Sequence, residues 1–94
     1  MAQLVFRRGA REEFARLRFT HQLPPDGWQR VLRSAEHLRF APLAGQALDG
    51  EWGGFRYVVG PWDWMLIVYR YDEENDRAVV VLLADVRSGS MPLT

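Results

Sequence analysis

The chain has 94 residues, of which 48% are hydrophobic and 26% charged, and its formal net charge is zero. A chain of this length builds one domain with a modest core, so we expect a single domain over residues 1–94. The absence of cysteine excludes disulfides and thiolate metal sites, and no apolar run approaches the ~20 residues that span a bilayer. Because no signal peptide precedes the first apolar segment, we expect a cytoplasmic protein without membrane contact.

Charge is distributed unevenly along the chain. All twelve basic residues are arginine, and eight of them lie in residues 1–39 beside four acids, whereas residues 40–94 hold four arginines and eight acids. The missing lysine has two interpretations, a composition bias of the genome or phosphate recognition by guanidinium groups. A net charge of zero argues against strong non-specific nucleic-acid binding, so any nucleic acid would be bound at a local site.

The first forty residues predict a short strand and two helices. Residues 4–6 are apolar and suit a strand, and residues 10–19 have the apolar spacing of a helix, carried by Ala10, Phe14 and Leu17. A second helix begins with Asp26 as its N-cap and ends near residue 40. Its predicted buried stripe consists of Trp28, Val31, Leu32, Ala35 and Leu38.

The second half of the chain predicts a three-stranded meander. Residues 41–54 contain four glycines and a proline and indicate a loop that crosses from helix to sheet. Strands are then predicted over residues 55–59, from residue 62 or 64 to residue 71, and over residues 77–86, because branched and aromatic side chains pack well on a pleated surface. The polar cluster at residues 72–76 is typical of a turn.

These elements predict an α+β fold in the order β-α-α-β-β-β. A helical hairpin would pack on one face of a small, mainly antiparallel four-stranded sheet. Two helices cannot cover both faces, so we expect the other face to stay open or concave and to hold the site.

This order resembles the RelE/ParE superfamily, the toxins of type II toxin–antitoxin pairs. The resemblance covers nearly the whole chain and rests on the order and spacing of its motifs rather than on any one of them. The matching elements are Ala41-Pro42-Leu43, Gly45, Leu48-Asp49-Gly50, Gly53-Gly54-Phe55-Arg56-Tyr57, Gly60, Val68-Tyr69, the acidic turn at 72–76, the valine-rich run at 79–83 and Arg87.

The resemblance implies a toxin with a cognate antitoxin as its partner, and no cofactor or metal. Its first functional reading is a RelE-like endonuclease that cleaves mRNA on the ribosome. The alternatives are a ParE-like toxin that inhibits DNA gyrase without catalysis, and a degenerate, non-toxic member that still binds an antitoxin.

The resemblance also implies site residues. Arg56 and Arg87 occupy positions where RNA-cleaving members carry basic side chains that contact the scissile phosphate. Arg70 would complete a phosphate clamp with them if all three lie on the open face; the alternative is that Arg70 and Arg77 pair with the acidic turn. Preorganised donors of this kind stabilise charge that develops during the reaction.

Three departures leave the proton-transfer residues of this pattern unfilled. Val58 and Leu66 stand where further basic residues are usual, and residues 88–92 lack the His or Tyr that often follows the closing arginine. His21 and His37 are interpreted as surface residues, with the alternative that His21 folds over the site. Asp85 is either a base or, as we prefer, a residue that orients Arg87.

The aromatic residues Trp52, Trp62 and Trp64 have three interpretations. They belong to the core and sheet edge, or they dock an antitoxin or a second copy in a homodimer, or they stack on nucleobases. For the last reading Trp64 is the predicted substrate-binding residue.

Overall fold

A computed structural model describes residues 1–88 of the chain. Within them the order is β-α-α-β-β-β-β, so the predicted α+β fold is confirmed with one added strand. The elements are β1 (Gln3–Phe6), α1 (Arg8–Thr20), α2 (Gly27–Ala35), β2 (Gln46–Ala47), β3 (Arg56–Val59), β4 (Met65–Asp72) and β5 (Arg77–Asp85). Short 3₁₀ turns occupy Glu36–Arg39, Gly50–Trp52 and Val86–Ser88.

The strands form one sheet in the order β1-β5-β4-β3-β2. The predicted meander is confirmed, because β3, β4 and β5 pair antiparallel through two hairpins, while β1 joins β5 in parallel. The turn before β5 has Asp76 at φ 50°, a conformation that Asp tolerates better than most residues. The expectation of four strands was wrong by one: β2 is two exposed residues paired with β3, too short to leave an apolar pattern in the sequence.

The helical hairpin packs on one face of the sheet, as predicted. The three apolar residues expected on α1 are buried, and the stripe of the second helix is buried at Val31, Ala35 and Leu38. Two details differ. The α-helix ends at Ala35 and tightens into the 3₁₀ turn, and Asp26 sits at the N-cap position without a capping hydrogen bond, because its carboxylate pairs with Arg30 at 3.1 Å.

A Schellman motif ends α1 and sets the position of the connector that follows. The N–H of Leu23 donates to Arg18 O at 3.1 Å, and Gln22 has a positive φ of 49°. This is the usual way in which an α-helix reverses its chain. The reversal makes His21 the C-cap residue and directs the connector back to the sheet.

The sheet has an apolar layer on each face, so the expectation of an open face was wrong. The larger core lies under the helices and includes Met65, Ile67 and Tyr69. On the opposite face Leu66, Val68 and Ala84 are no more than 4% exposed, because the loop before β3 folds over them with Leu48, Trp52 and Phe55. Loops rich in glycine leave little sign in sequence of where they will pack.

Candidate functional site

The cluster of chemically active side chains lies where β4 begins and β5 ends. Asp85, the last residue of β5, pairs with Met65, and the N–H of Val86 donates to Trp64 O at 2.9 Å. Since side chains alternate along a strand, Asp85 points to the helix-bearing side, as Met65 does. The sheet register therefore places Trp64, Asp85 and Arg87 beside the end of α1.

His21 reaches this group from the connector after α1. Its Nε2 lies 2.9 Å from Asp85 Oδ2, and its ring stacks on the indole of Trp64 with centroids 3.9 Å apart and planes 13° from parallel. The histidine side chain is 21% exposed and the aspartate side chain 17%, so both remain accessible from solvent at their edges. The histidine is thus fixed on two sides and open on another.

Arg87 is anchored beside the imidazole. Its backbone N–H donates to Asp85 Oδ1 at 2.9 Å, and its guanidinium lies 5.5 Å from the centre of the Trp64 ring, within the range of a cation–π contact. The Nη2 of Arg87 donates to His21 Nδ1 at 3.3 Å, while Nε is 3.7 Å from Asp85 Oδ1. The side chain is nevertheless 62% exposed, so its charge faces solvent.

These contacts define the proton arrangement of His21. A guanidinium has only donors, so Nδ1 must accept, and an ionised carboxylate has only acceptors, so Nε2 must carry the proton. These two contacts together assign the hydrogen of the ring to Nε2 and the acceptor role to Nδ1. Its Nδ1 lone pair points at the guanidinium of Arg87.

Asp85 is held in its ionised form. Burial raises the pKa of its carboxyl, but the N–H of Arg87, the hydrogen bond from His21 and the charge of Arg87 outweigh burial and bring the pKa below its ordinary value. The site thus combines one fixed carboxylate, one imidazole and one exposed guanidinium.

The predicted clamp of Arg56, Arg70 and Arg87 does not form. Arg56 pairs across the strands with Tyr69, whose ring lies in the helix-side core, whereas Arg70 is the next residue and points to the opposite face. Tyr69 is five positions from Trp64, which is roughly 16 Å along a strand. The register therefore separates Arg56 and Arg70 from Arg87 and from each other.

Arg56 instead holds the loop before β2. Its Nη1 donates to the carbonyls of Gly45 at 2.9 Å and Leu43 at 3.2 Å. The hydroxyl of buried Tyr69 donates to Pro42 O at 2.7 Å and accepts the N–H of Gly45 at 2.9 Å. Burial raises the pKa of Tyr69, which keeps this hydroxyl protonated and able to donate.

Arg70 and Arg77 both interact with the acidic turn at residues 72–76. Arg77 Nη2 lies 3.6 Å from Asp72 Oδ2, which confirms the predicted pairing for that residue. The main cause that lowers the pKa of Asp72 is its hydrogen bonding with Asn75, and the charges of Arg77 and Arg70 act in the same direction. Arg70 therefore lies in the electrostatic field of the turn.

The two tryptophans of the β3–β4 hairpin are packed rather than free. Trp62 and Trp64 both lie against the helix-side core, and their rings are 18° from parallel with centroids 6.0 Å apart. Because His21 covers one face of Trp64, that face is closed to a nucleobase. Of the three interpretations, the packing of these two residues agrees with core and sheet edge.

His21 agrees with the alternative interpretation, that it folds over the site, and not with the preferred one of a surface residue. The surface was preferred because His21 is far in sequence from the sheet, and its partner Asp85 is 64 positions away. The sequence signal for this contact is the short length of the connector, which keeps His21 at the end of α1. His37 is exposed, as predicted.

Two further observations concern the whole described part of the chain. Among residues 1–88, no group of three His, Cys, Asp or Glu side chains is placed to hold a metal ion. No helix in the same stretch has the length and apolar character needed to cross a membrane. The segment after Arg87, where the sequence departs from the expected His or Tyr, lies outside the described residues from position 89 onwards.

Comparison with solved structures identifies the fold. A YoeB/ParE toxin from Agrobacterium tumefaciens matches 88% of this chain and 96% of its own, with a TM-score of 0.68 and 16% identity. A metal-bound toxin from Helicobacter pylori matches 97% of this chain and all of its own, with a TM-score of 0.71 and 16% identity.

A third similar structure is a toxin–antitoxin complex, RelBE2 from Mycobacterium tuberculosis. It matches 89% of this chain and 96% of its own, with a TM-score of 0.59 and 23% identity. No protein-family model matches the sequence, and no curated protein sequence does. The chain thus has the fold of RelE/ParE-type toxins over nearly its whole length.

Proposed function

We propose that this protein is the toxin of a type II toxin–antitoxin pair and acts in the cytoplasm. The support is the agreement between sequence motifs and fold: the motif order predicted this architecture, and the similar solved structures are toxins matched over 96% or more of their own chains. One of those structures is a complex with an antitoxin, so we propose an antitoxin as the partner here.

A groove on this chain suits such a partner. It has a volume of about 440 Å³ and runs along the edge of β1 that pairs with no other strand among residues 1–88, between β1 and the two helices. Its walls combine apolar and charged side chains, among them Leu4, Trp28, Leu32, Arg11 and Arg39. An edge strand offers unpaired backbone groups to an extended segment, and the side pockets of such a groove supply specificity.

For the activity we propose cleavage of mRNA, with Arg87 as the residue that binds the scissile phosphate. One observation carries this proposal: an exposed guanidinium is fixed beside an imidazole, with Nη2 and Nδ1 3.3 Å apart. A guanidinium fork matches phosphate oxygens, and a donor held in place stabilises charge as it develops on them. Asp85 and Trp64 hold Arg87 in position without hiding it from solvent.

Induced expression in a bacterial host tests this activity. Wild-type protein should arrest growth and leave cut messages, and Arg87→Ala should lower cleavage by about 10²- to 10³-fold, the effect of removing one preorganised donor. Arg33→Ala is the matched control, because Arg33 is an exposed arginine on the polar side of α2. Growth arrest with intact messages would exclude the nuclease.

Inhibition of DNA gyrase without catalysis is the second candidate. It is favoured by the sheet face opposite the helices, where buried Leu66 stands instead of a basic residue. Plasmid supercoiling measured in the same cells separates the two activities. Relaxed plasmid with intact messages would support gyrase inhibition, and normal growth with folded protein would indicate a member that binds an antitoxin but is not toxic.

A further inference from the structure

We propose that His21 is the catalytic base of this protein, taking the proton from the 2′-hydroxyl of the RNA nucleotide that is cleaved. The inference rests on the proposed RNA cleavage and adds the proton-transfer residue that the sequence pattern leaves unfilled. It places this residue in the connector between the helices, not in the segment after the closing arginine.

Geometry is the first argument. A base must come within hydrogen-bond distance of the proton that it removes. The lone pair of His21 Nδ1 is directed at Arg87 Nη2 from 3.3 Å. A phosphate bound by that guanidinium therefore has its neighbouring 2′-hydroxyl within reach of Nδ1, with no movement of the sheet.

Exchange of hydrogen bonds is the second argument. The Nδ1 lone pair accepts from Arg87 over a long distance of 3.3 Å. A phosphate oxygen is charged and binds a guanidinium more strongly than a neutral imidazole does. Substrate binding thus draws the guanidinium to the phosphate and exposes the lone pair at the moment when the reaction needs it.

The surroundings of His21 suit a ring that gains a proton. Asp85 accepts from Nε2–H at 2.9 Å, which fixes the tautomer and stabilises the imidazolium once it forms. Trp64 stacks on the ring at 3.9 Å, and an aromatic face attracts a cation. Both contacts exist before the proton arrives, so little rearrangement is required.

The chemical step is a transesterification. The 2′-oxygen gives its proton to His21 Nδ1 and forms a bond to the adjacent phosphorus, while the bond from phosphorus to the 5′-oxygen breaks. The leaving 5′-oxygen takes a proton from water, and the imidazolium returns its proton to the resulting hydroxide. The products are a 2′,3′-cyclic phosphate and a 5′-hydroxyl end, with no oxidant, reductant or metal in the balance.

The test is single-turnover cleavage of a defined message on translating ribosomes by purified protein. His21→Gln keeps an N–H donor for Asp85 but has no basic nitrogen, and should lower the rate by about 10²- to 10⁴-fold, the usual contribution of a general base. His37→Gln is the matched control, since His37 is exposed and distant in sequence from the cluster. Circular dichroism verifies the folding of each variant.

A second variant, His21→Ala, is measured with and without free imidazole. Recovery of cleavage with imidazole, in His21→Ala but not in Arg87→Ala, is the expected result, because a packing role alone would not produce it. His21→Gln at the wild-type rate, or a loss that imidazole does not restore, would overturn the inference while leaving RNA cleavage intact. Wild-type protein that cuts no message would instead reject the proposed function. If His21→Gln fails to fold, His21→Ala with imidazole decides the question.

Discussion

His21 and Asp85 are 64 positions apart in the sequence, yet the Nε2–H of the histidine donates to Oδ2 of the carboxylate across 2.9 Å. One residue ends the first helix and the other ends the last strand of the described fold. This hydrogen bond therefore ties the helical hairpin to the sheet at the place where the candidate site lies. Its strength depends on the charge of Asp85.

Acid should weaken this connection. Burial raises the pKa of Asp85, but hydrogen bonds from Arg87 and His21 and the charge of Arg87 outweigh it, so that the pKa in the folded protein is below its ordinary value of 3.8. The folded state then binds fewer protons than the unfolded state, so the stabilisation is complete above the unfolded pKa and is lost as pH falls through the folded pKa. Urea unfolding should be measured from about pH 6 down to pH 2. The free energies of unfolding of wild-type protein and Asp85→Asn should converge as the pH falls through the folded-state pKa of Asp85.

Asp63→Asn provides the control for the acid prediction. Asp63 is an exposed carboxylate in the hairpin between β3 and β4, close in sequence to Trp64. The difference in free energy of unfolding between Asp63→Asn and wild type should stay small across the whole pH range. A gap between wild type and Asp85→Asn that remains constant across the whole pH range would contradict the assignment.

Gly45 should not tolerate a larger side chain. A Cβ at this position would lie 2.6 Å from both Cε1 and the hydroxyl oxygen of Tyr69, and 2.9 Å from the carbonyl oxygen of Tyr57. Because Tyr69 is fully buried, it cannot move aside, and Gly45→Ala should lower the free energy of unfolding by about 1–3 kcal/mol.

Gly9→Ala is the matched control for this substitution. Gly9 lies in α1, and no heavy atom would come within 4 Å of an added Cβ. Alanine favours a helix over glycine by up to about 1 kcal/mol, so this variant should be more stable than wild type. Equal losses in the two variants would show that the contact with Tyr69 is not responsible.

Much of this fold could be predicted because its elements carry local patterns. The valine-rich and aromatic runs predicted β3, β4 and β5, and the spacing of apolar residues predicted both helices. The site was harder, because the loop packed on Leu66 and the connector that delivers His21 are irregular segments. Their positions depend on contacts with residues far along the chain, which periodicity does not record.

Arg56 shows the same limit of sequence-based prediction for a residue in a regular strand. A motif placed it beside a phosphate, and side-chain alternation puts it on the same side of β3 as Val58. Alternation does not show which side of β3 the helices cover. Nor does it show that the register with β4 pairs Arg56 with Tyr69. The role of a strand residue follows from its pairing partner as much as from its own position.

Removing the Arg56 guanidinium should loosen the loop that it holds. Arg56→Met keeps the aliphatic stem but loses the donors to Gly45 O and Leu43 O, and should lower the free energy of unfolding by about 1 kcal/mol. Hydrogen exchange at the N–H of Gly45, which donates to Tyr69, should become faster. Arg70→Met, on the opposite face, should leave that exchange rate unchanged; equal acceleration in both variants would contradict this role.

Gln22 offers a stabilising substitution next to the site. It has a φ of 49°, in the left-handed region where a side chain costs about 1–2 kcal/mol and glycine is at ease. Gln22→Gly should therefore raise the free energy of unfolding by about 0.5–1 kcal/mol, after the added flexibility of the unfolded chain is subtracted. Gln29→Gly is the control, because the same replacement inside α2 should instead lower stability by about 1 kcal/mol. Thermal or urea unfolding distinguishes the two signs, and a loss in both variants would mean that the left-handed conformation of Gln22 does not cost stability.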